Sequence, residues 1–224
     1  MIISINGKIV SEKKACLPVL SKSFLYGFAV FETMRTYNKK VFRLVDHIKR
    51  LFESVNILDI KPIWNPKKVC RAVDDLVYKS KYPESRIRVI LTQEHLIITI
   101  EELKEKPAVF YKTGLKLASY PGRRSIPHAK VLGDTICYLA NQYATRHNLF
   151  YDSILIDPDT SYVGECSYAN IFWVFFQEVC DKRKGCETLF PSAGNTNTLY
   201  PFKSSKLSSR FKAAFATSIS KNSG

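Results

Sequence analysis

Hydrophobic residues along this 224-residue chain change period several times, and each change marks an element. The stretch Ile3-Ser4-Ile5-Asn6-Gly7-Lys8-Ile9-Val10 alternates around an Asn-Gly pair, which supplies the positive φ angles of a two-residue turn, so the chain is expected to open as a strand pair. Residues 24–37 and the strand-like Val41-Phe42-Arg43, joined through Asn38-Lys39-Lys40, read as a second hairpin feeding a helix. Val45, Ile48, Leu51, Phe52, Val55 and Leu58 mark that helix by recurring at three- and four-residue steps, while Asp46, Lys49, Arg50 and Glu53 take its other face. Residues 67–80 repeat the pattern with Val69, Val73, Leu76 and Val77, and strands are expected at Arg86 to Thr92 and Leu96 to Glu101. Residues 1–106 are therefore expected to form a small α+β domain.

Pro107 to Tyr111 marks a crossing into a second domain, which opens with a strand at Leu115 to Ser119 and a turn at Pro121-Gly122. A helix is expected at residues 132–148, then a strand at Ser153 to Asp157, a turn at Pro158-Asp159-Thr160-Ser161, a strand bearing Glu165 and another from Ile171 to Phe176. Residues 107–176 thus form a second, partial domain, and residues 177–224 a separate tail. Residues 195–224 are rich in Ser, Thr, Asn and Lys without strand alternation or a sustained helical stripe, so poor order is expected there.

Composition narrows the class. With 46% hydrophobic and 12% aromatic residues the chain can bury a core. A formal charge of +14 raises the question of nucleic acid, but the basic residues spread along the whole chain instead of clustering, so no nucleic-acid partner is expected. Cys16, Cys70, Cys137, Cys166, Cys180 and Cys186 contain no C-x-x-C and are not paired with the four histidines, so no metal site is expected. The N-terminus is too short and too polar after residue 5 for a signal peptide, and no apolar run approaches membrane-spanning length. Reduced thiols in a cytoplasmic protein are the expectation.

Two residues bear on chemistry. Lys130, in Ile126-Pro127-His128-Ala129-Lys130, precedes the helix-like run, and Glu165 lies in Tyr162-Val163-Gly164-Glu165-Cys166-Ser167-Tyr168-Ala169-Asn170-Ile171-Phe172-Trp173. A pyridoxal phosphate enzyme needs an amine to condense with the cofactor aldehyde and a carboxylate to keep the pyridine nitrogen protonated. Either residue alone would read as a solvated surface group, so their flanking sequences carry the argument. His47 and His128 lack a nucleophile partner and are read as structural or solvated, and Ser167 shows no triad pattern.

Those flanks are Tyr26-Gly27, Val30-Phe31-Glu32-Thr33-Met34-Arg35, Val41-Phe42-Arg43-Leu44, His47-Ile48-Lys49-Arg50-Leu51, Ala129-Lys130 and Glu165 to Trp173. In this order and spacing they resemble the class IV pyridoxal phosphate enzymes, which include branched-chain amino acid aminotransferase, D-amino acid aminotransferase and 4-amino-4-deoxychorismate lyase. The resemblance runs from about residue 3 to about residue 174. It implies a two-domain, class IV aminotransferase-like α+β fold, pyridoxal 5'-phosphate as cofactor, and an active site between the domains and next to a homodimer interface. By the same resemblance Lys130 is the Schiff-base lysine and proton carrier, Glu165 the partner of the pyridine nitrogen, and Arg43 the holder of the cofactor phosphate. Asn170 is a further cofactor-binding position, and Tyr26 and Phe31 line the substrate pocket. Arg88 is the candidate for the substrate carboxylate, with Arg86 on the same strand face leaving that choice open. The implied reaction is transamination between an amino acid and a 2-oxo acid. The alternatives are elimination of pyruvate from aminodeoxychorismate to give 4-aminobenzoate, and an inactive relative serving as an interaction module.

The chain departs from the family at two places. Asp134 and Thr135 stand where many members carry an asparagine and a tyrosine, so substrate contacts there do not transfer. After Phe190-Pro191-Ser192-Ala193-Gly194 the sequence Asn195-Thr196-Asn197-Thr198-Leu199-Tyr200 leaves the family's phosphate-binding loop and helix, as a tail read in a shifted frame or a truncated product would. The second domain is accordingly expected to be incomplete, with Arg43 holding the phosphate largely alone.

Overall fold

The computed structural model describes residues 1–146, 150–175, 178–181 and 214–216, so most of the 177–224 tail, with the expectation of poor order made for it, lies outside the described residues. The chain forms two compact units. One comprises Met1–Glu105 together with Ser125–Asp134; the other comprises Lys106–Arg124 and the described residues from Thr135 onward.

In the first unit β1 (Ile2–Ile5) and β2 (Lys8–Val10) form the opening hairpin, with Asn6 at φ 51° and Gly7 at φ 81°. There follow α1 (Lys22–Tyr26), β3 (Val30–Tyr37), β4 (Lys40–Val41), α2 (Leu44–Ile57), α3 (Pro66–Lys79), β5 (Ser85–Leu91) and β6 (Leu96–Glu102). The strands make one antiparallel sheet in the order β2-β1-β6-β5-β3-β4. Alternation along β3 is strict: Val30, Glu32, Met34 and Thr36 are buried, and Phe31, Thr33, Arg35 and Tyr37 face the other way, half-buried. The buried face of β3, β5 and β6 meets Ile48, Leu51 and Val55 of α2 and Val69, Val73 and Leu76 of α3 in one continuous core. Each such aliphatic side chain contributes about 1.5–3 kcal/mol by leaving water. Asn65 starts α3 by accepting the Lys68 N–H at 2.9 Å, and Pro66 follows at the first helical position, where its missing N–H costs nothing.

Three local features differ from the sequence reading. Residues 22–26 form a short helix, not part of a hairpin, because Ser21 Oγ accepts the Phe24 N–H at 3.3 Å and Gly27, at φ 62°, ends the turn. Val45, assigned to the apolar stripe, is 73% exposed, since the first turn of α2 points it away from the core. Arg43 is not a strand residue: it sits at φ 50° and ψ 40°, the left-handed kink that turns the chain from β4 into α2.

The second unit contains α4 (Ala108–Thr113), where the sequence suggests only a crossing, and then β7 (Leu117–Pro121), α5 (Thr135–Arg146), β8 (Asp152–Ile156) and β9 (Val163–Cys166). Parallel pairing of β7 with β8 requires a crossover, and α5 lies within it. β9 returns antiparallel to β8. A further antiparallel sheet is made by β10 (Asn170–Phe175), β11 (Glu178–Asp181) and β12 (Ala214–Ala216), with β10 in the middle. Ile154, Val163, Cys166, Ala169 and Ile171 form a core cluster of this unit. No helix among the described residues is long and apolar enough to cross a membrane, and no group of three or more metal-ligating side chains occurs among them.

Candidate active site

Lys130 stands in the segment Ser125–Asp134, which is tied to the first unit by backbone bonds. Phe31 N–H donates to the Lys130 carbonyl at 2.9 Å and Leu132 N–H to the Ala29 carbonyl at 2.8 Å, so Val131 forms an antiparallel bridge with Val30. On the helix side, Lys130 N–H donates to Ser54 Oγ at 3.2 Å, and that hydroxyl donates to the Arg50 carbonyl at 3.1 Å. The close approach depends on two glycines: a Cβ on Gly27 would lie 2.5 Å from Gly133 Cα, and one on Gly133 would lie 3.0 Å from Gly27 Cα. The lysine is therefore held in place at its backbone.

Beside it is a carboxylate, Glu32, to which the sequence motif assigns no role. Glu32 is fully buried, yet it carries three bonds: Arg50 Nε donates to Oε1 at 2.5 Å, Arg50 Nη2 donates to Oε2 at 2.7 Å, and His47 Nδ1 lies 3.0 Å from Oε2. That last contact requires the proton on Nδ1, because a bare Nδ1 would set two acceptors against each other. Burial pushes the Glu32 carboxyl up, but the bonds from His47 and Arg50 and the positive charges of Lys130 and Arg50 outweigh it and bring the pKa to about 2. The Arg50 guanidinium is pushed up in return, chiefly by its bond to Glu32. A signal for this cluster is present in the sequence: a glutamate at a core-facing position between Val30 and Met34 requires a cationic partner, and His47 and Arg50 lie one helical turn apart.

On the outward face of the sheet Arg88 Cζ lies 4.3 Å from the Phe31 ring centroid and Lys130 Nζ lies 5.6 Å from it, so one half-buried ring bears two cations. Arg86, which shares that face, is exposed and donates to Glu101 at 2.7 Å. Geometry thus brings Arg88, and not Arg86, toward Lys130. Tyr26 is 77% exposed, with its carbonyl against Gly133. Arg43 is engaged in solvent: its side chain is 65% exposed and its Nε donates to Asp46 at 2.6 Å. Arg50 is the arginine that the fold sets beside Glu32.

In the second unit Glu165 lies on β9, half-buried, with Arg124 Nη1 3.4 Å from its Oε1. Asn170 begins β10, also half-buried. Next to Glu165, Cys166 is pushed up to about 12 by burial first and then by the Asp152 and Glu165 carboxylates, so it carries no thiolate at neutral pH. Ser167 is engaged structurally: its hydroxyl donates to the buried Asp152, which also accepts the Ser153 N–H at 2.7 Å. His128 is exposed at the surface, as a solvated residue would be.

The chain is 28% identical over 187 residues to a probable branched-chain-amino-acid aminotransferase of Rickettsia bellii, covering 77% of this chain and 64% of that protein. It is 27% identical over 190 residues to an aminodeoxychorismate lyase of Bacillus subtilis, covering 76% and 64%. The chain therefore spans somewhat less than two thirds of these relatives. Among solved structures, a branched-chain aminotransferase from Thermoproteus uzoniensis superposes with a TM-score of 0.69 at 26% identity, over 80% of this chain and 67% of that one. A T.th. branched-chain amino acid aminotransferase with pyridoxamine 5'-phosphate superposes with the same TM-score of 0.69 at 25% identity, over 80% and 65%. The amino-transferase class IV family profile matches residues 29–180, and the chain belongs to that family.

Proposed function

We propose that this chain carries out pyridoxal 5'-phosphate-dependent transamination of an amino acid with a 2-oxo acid, with Lys130 as the reacting amine. The observation that carries the reading is the backbone-clamped Lys130 beside the Glu32–Arg50 pair. The donor types match those the cofactor needs: an amine for the aldehyde, a guanidinium with its Nη1 left over for the phosphate, and, within the second unit, a carboxylate, Glu165, for the pyridine nitrogen. When bound, the cofactor supplies an electron sink for the charge released at the substrate Cα. In this reading Lys130 would supply the amine for the aldehyde and carry the proton, Arg50 would hold the phosphate, and Glu165, with Asn170 nearby in sequence, would keep the ring nitrogen protonated. Arg50 replaces Arg43 in this assignment, because Arg43 is engaged with Asp46 in solvent. Arg88, stacked on Phe31, would hold the substrate carboxylate, and Tyr26 at the end of α1 is the further substrate-side candidate. A homodimer and a cytoplasmic location go with the family reading, and light scattering of the purified protein tests the first.

The test is an amino-group transfer assay with pyridoxal phosphate, a 2-oxo acid and a panel of amino acids, branched-chain ones first because several relatives bear that name. A second reading, aminodeoxychorismate lyase, is favoured by the Bacillus subtilis relative. Product formation that requires a 2-oxo acid supports transamination. Release of pyruvate and 4-aminobenzoate without one supports the lyase, and neither product over the whole panel supports an inactive relative.

A further inference from the structure

Glu32 is sealed from solvent, yet it gathers Arg50, His47 and the field of Lys130 at one fully buried carboxylate. A buried carboxylate is costly unless it is paired, and a core position between Val30 and Met34 would take an aliphatic side chain at no such cost. What the pairing achieves is geometric. Arg50 presents its Nε and Nη2 edge to Glu32, whose two oxygens receive them in the fork-to-fork arrangement that fixes the guanidinium plane. Its Nη1 makes no hydrogen bond among the described residues, and the side chain is 36% exposed. His47 braces the second Glu32 oxygen from the same helix, and Ser54 ties the Arg50 carbonyl to the Lys130 amide.

We propose that Glu32 is the positioning residue of this site, holding the Arg50 guanidinium so that its remaining edge meets the phosphate of the cofactor at a fixed place relative to Lys130. The inference rests on the cofactor reading above and adds a residue to it. Glu32 acts through Arg50, so it governs how tightly a phosphorylated aldehyde is held and leaves the reaction of Lys130 with an unphosphorylated one unaffected.

The experiment compares binding of pyridoxal phosphate and of pyridoxal, which lacks the phosphate, to the cofactor-free protein by absorbance and fluorescence titration. Wild type, Glu32→Gln and Arg50→Lys are compared, each with its fold checked by circular dichroism. In wild type, pyridoxal phosphate binds more tightly than pyridoxal. Glu32→Gln is expected to weaken pyridoxal phosphate about 10- to 100-fold, the worth of one charge-assisted hydrogen bond, with pyridoxal changed less than about threefold. Arg50→Lys keeps the charge without the fork, and it should show the same phosphate-selective loss even if Glu32→Gln does not fold. Equal weakening of both aldehydes in a folded variant would reduce Glu32 to a structural role and overturn the proposal, as would unchanged pyridoxal phosphate binding in either variant. Failure of wild type to bind either aldehyde would instead refute the cofactor reading, an outcome distinct from the other two.

Discussion

Replacing Glu32 with glutamine should cost folding stability by an amount that depends on pH in a defined direction. The Glu32 pKa falls from an ordinary 4.5 to about 2 in the folded chain, because burial, which raises it, is outweighed by two hydrogen-bonded partners and the Lys130 charge. At 1.36 kcal/mol per unit the ionised carboxylate contributes roughly 3 kcal/mol, and full burial means that solvent screening removes little of it. A folded value below the unfolded one makes this contribution complete above about pH 4.5 and lost as pH falls through about 2. Urea unfolding followed by circular dichroism should therefore show Glu32→Gln less stable than wild type by about 3 kcal/mol at pH 7, the gap narrowing to roughly half that at pH 3. A gap that stays constant from pH 7 to pH 3, or one below about 1 kcal/mol at pH 7, would show that Glu32 is not the ionised hub described above.

Further outcomes follow from the same geometry. Gly27→Ala puts a Cβ 2.5 Å from Gly133 Cα at a φ of 62°, so it should destabilise the first unit by about 1–3 kcal/mol in thermal melts and raise the susceptibility of residues 125–134 to limited proteolysis. Ser54→Ala removes the acceptor of the Lys130 amide, and hydrogen exchange at that amide should speed up with a loss of about 1 kcal/mol in overall stability. Arg88→Leu should raise KM for the amino acid more than it lowers kcat, and an equal effect of Arg86→Leu would contradict the choice between them. Cys166, buried and pushed up to about 12, should resist iodoacetamide at pH 7.5 while exposed Cys16 reacts; mass spectrometry of the labelled peptides checks this.

Much of the fold is legible from periodicity alone. The stripes of α2 and α3, the Asn6-Gly7 turn and the strands β5 and β6 all occur within about two residues of their expected positions, because each buries one face and the pattern records that face. Helix α1 is less visible, although Ser21 and Gly27 bracket it as caps, because its apolar residues face outward: Phe24 is 64% and Tyr26 77% exposed. At the site, the family resemblance picks out Lys130, Phe31 and Arg88, which the fold gathers around one ring. It points to Arg43 for the phosphate, whereas Arg50, in the middle of α2, is the arginine bonded to Glu32, a pairing visible only once β3 and α2 are packed together. Glu32 escapes a search for apolar positions in β3, although the one charged residue on the core-facing side of that strand is the more informative one. Substrate choice is not written in these elements, which match relatives named both as an aminotransferase and as a lyase and span about 64% of their length.

The most direct test of the central claim is the absorbance spectrum of purified protein after incubation with pyridoxal phosphate and desalting, measured beside Lys130→Ala. A visible band of lysine-bound cofactor that survives desalting in wild type and is absent from the folded variant is the predicted result. The same band in both proteins would move the reacting amine elsewhere, and no band in either would contradict the assignment of a cofactor site to this chain.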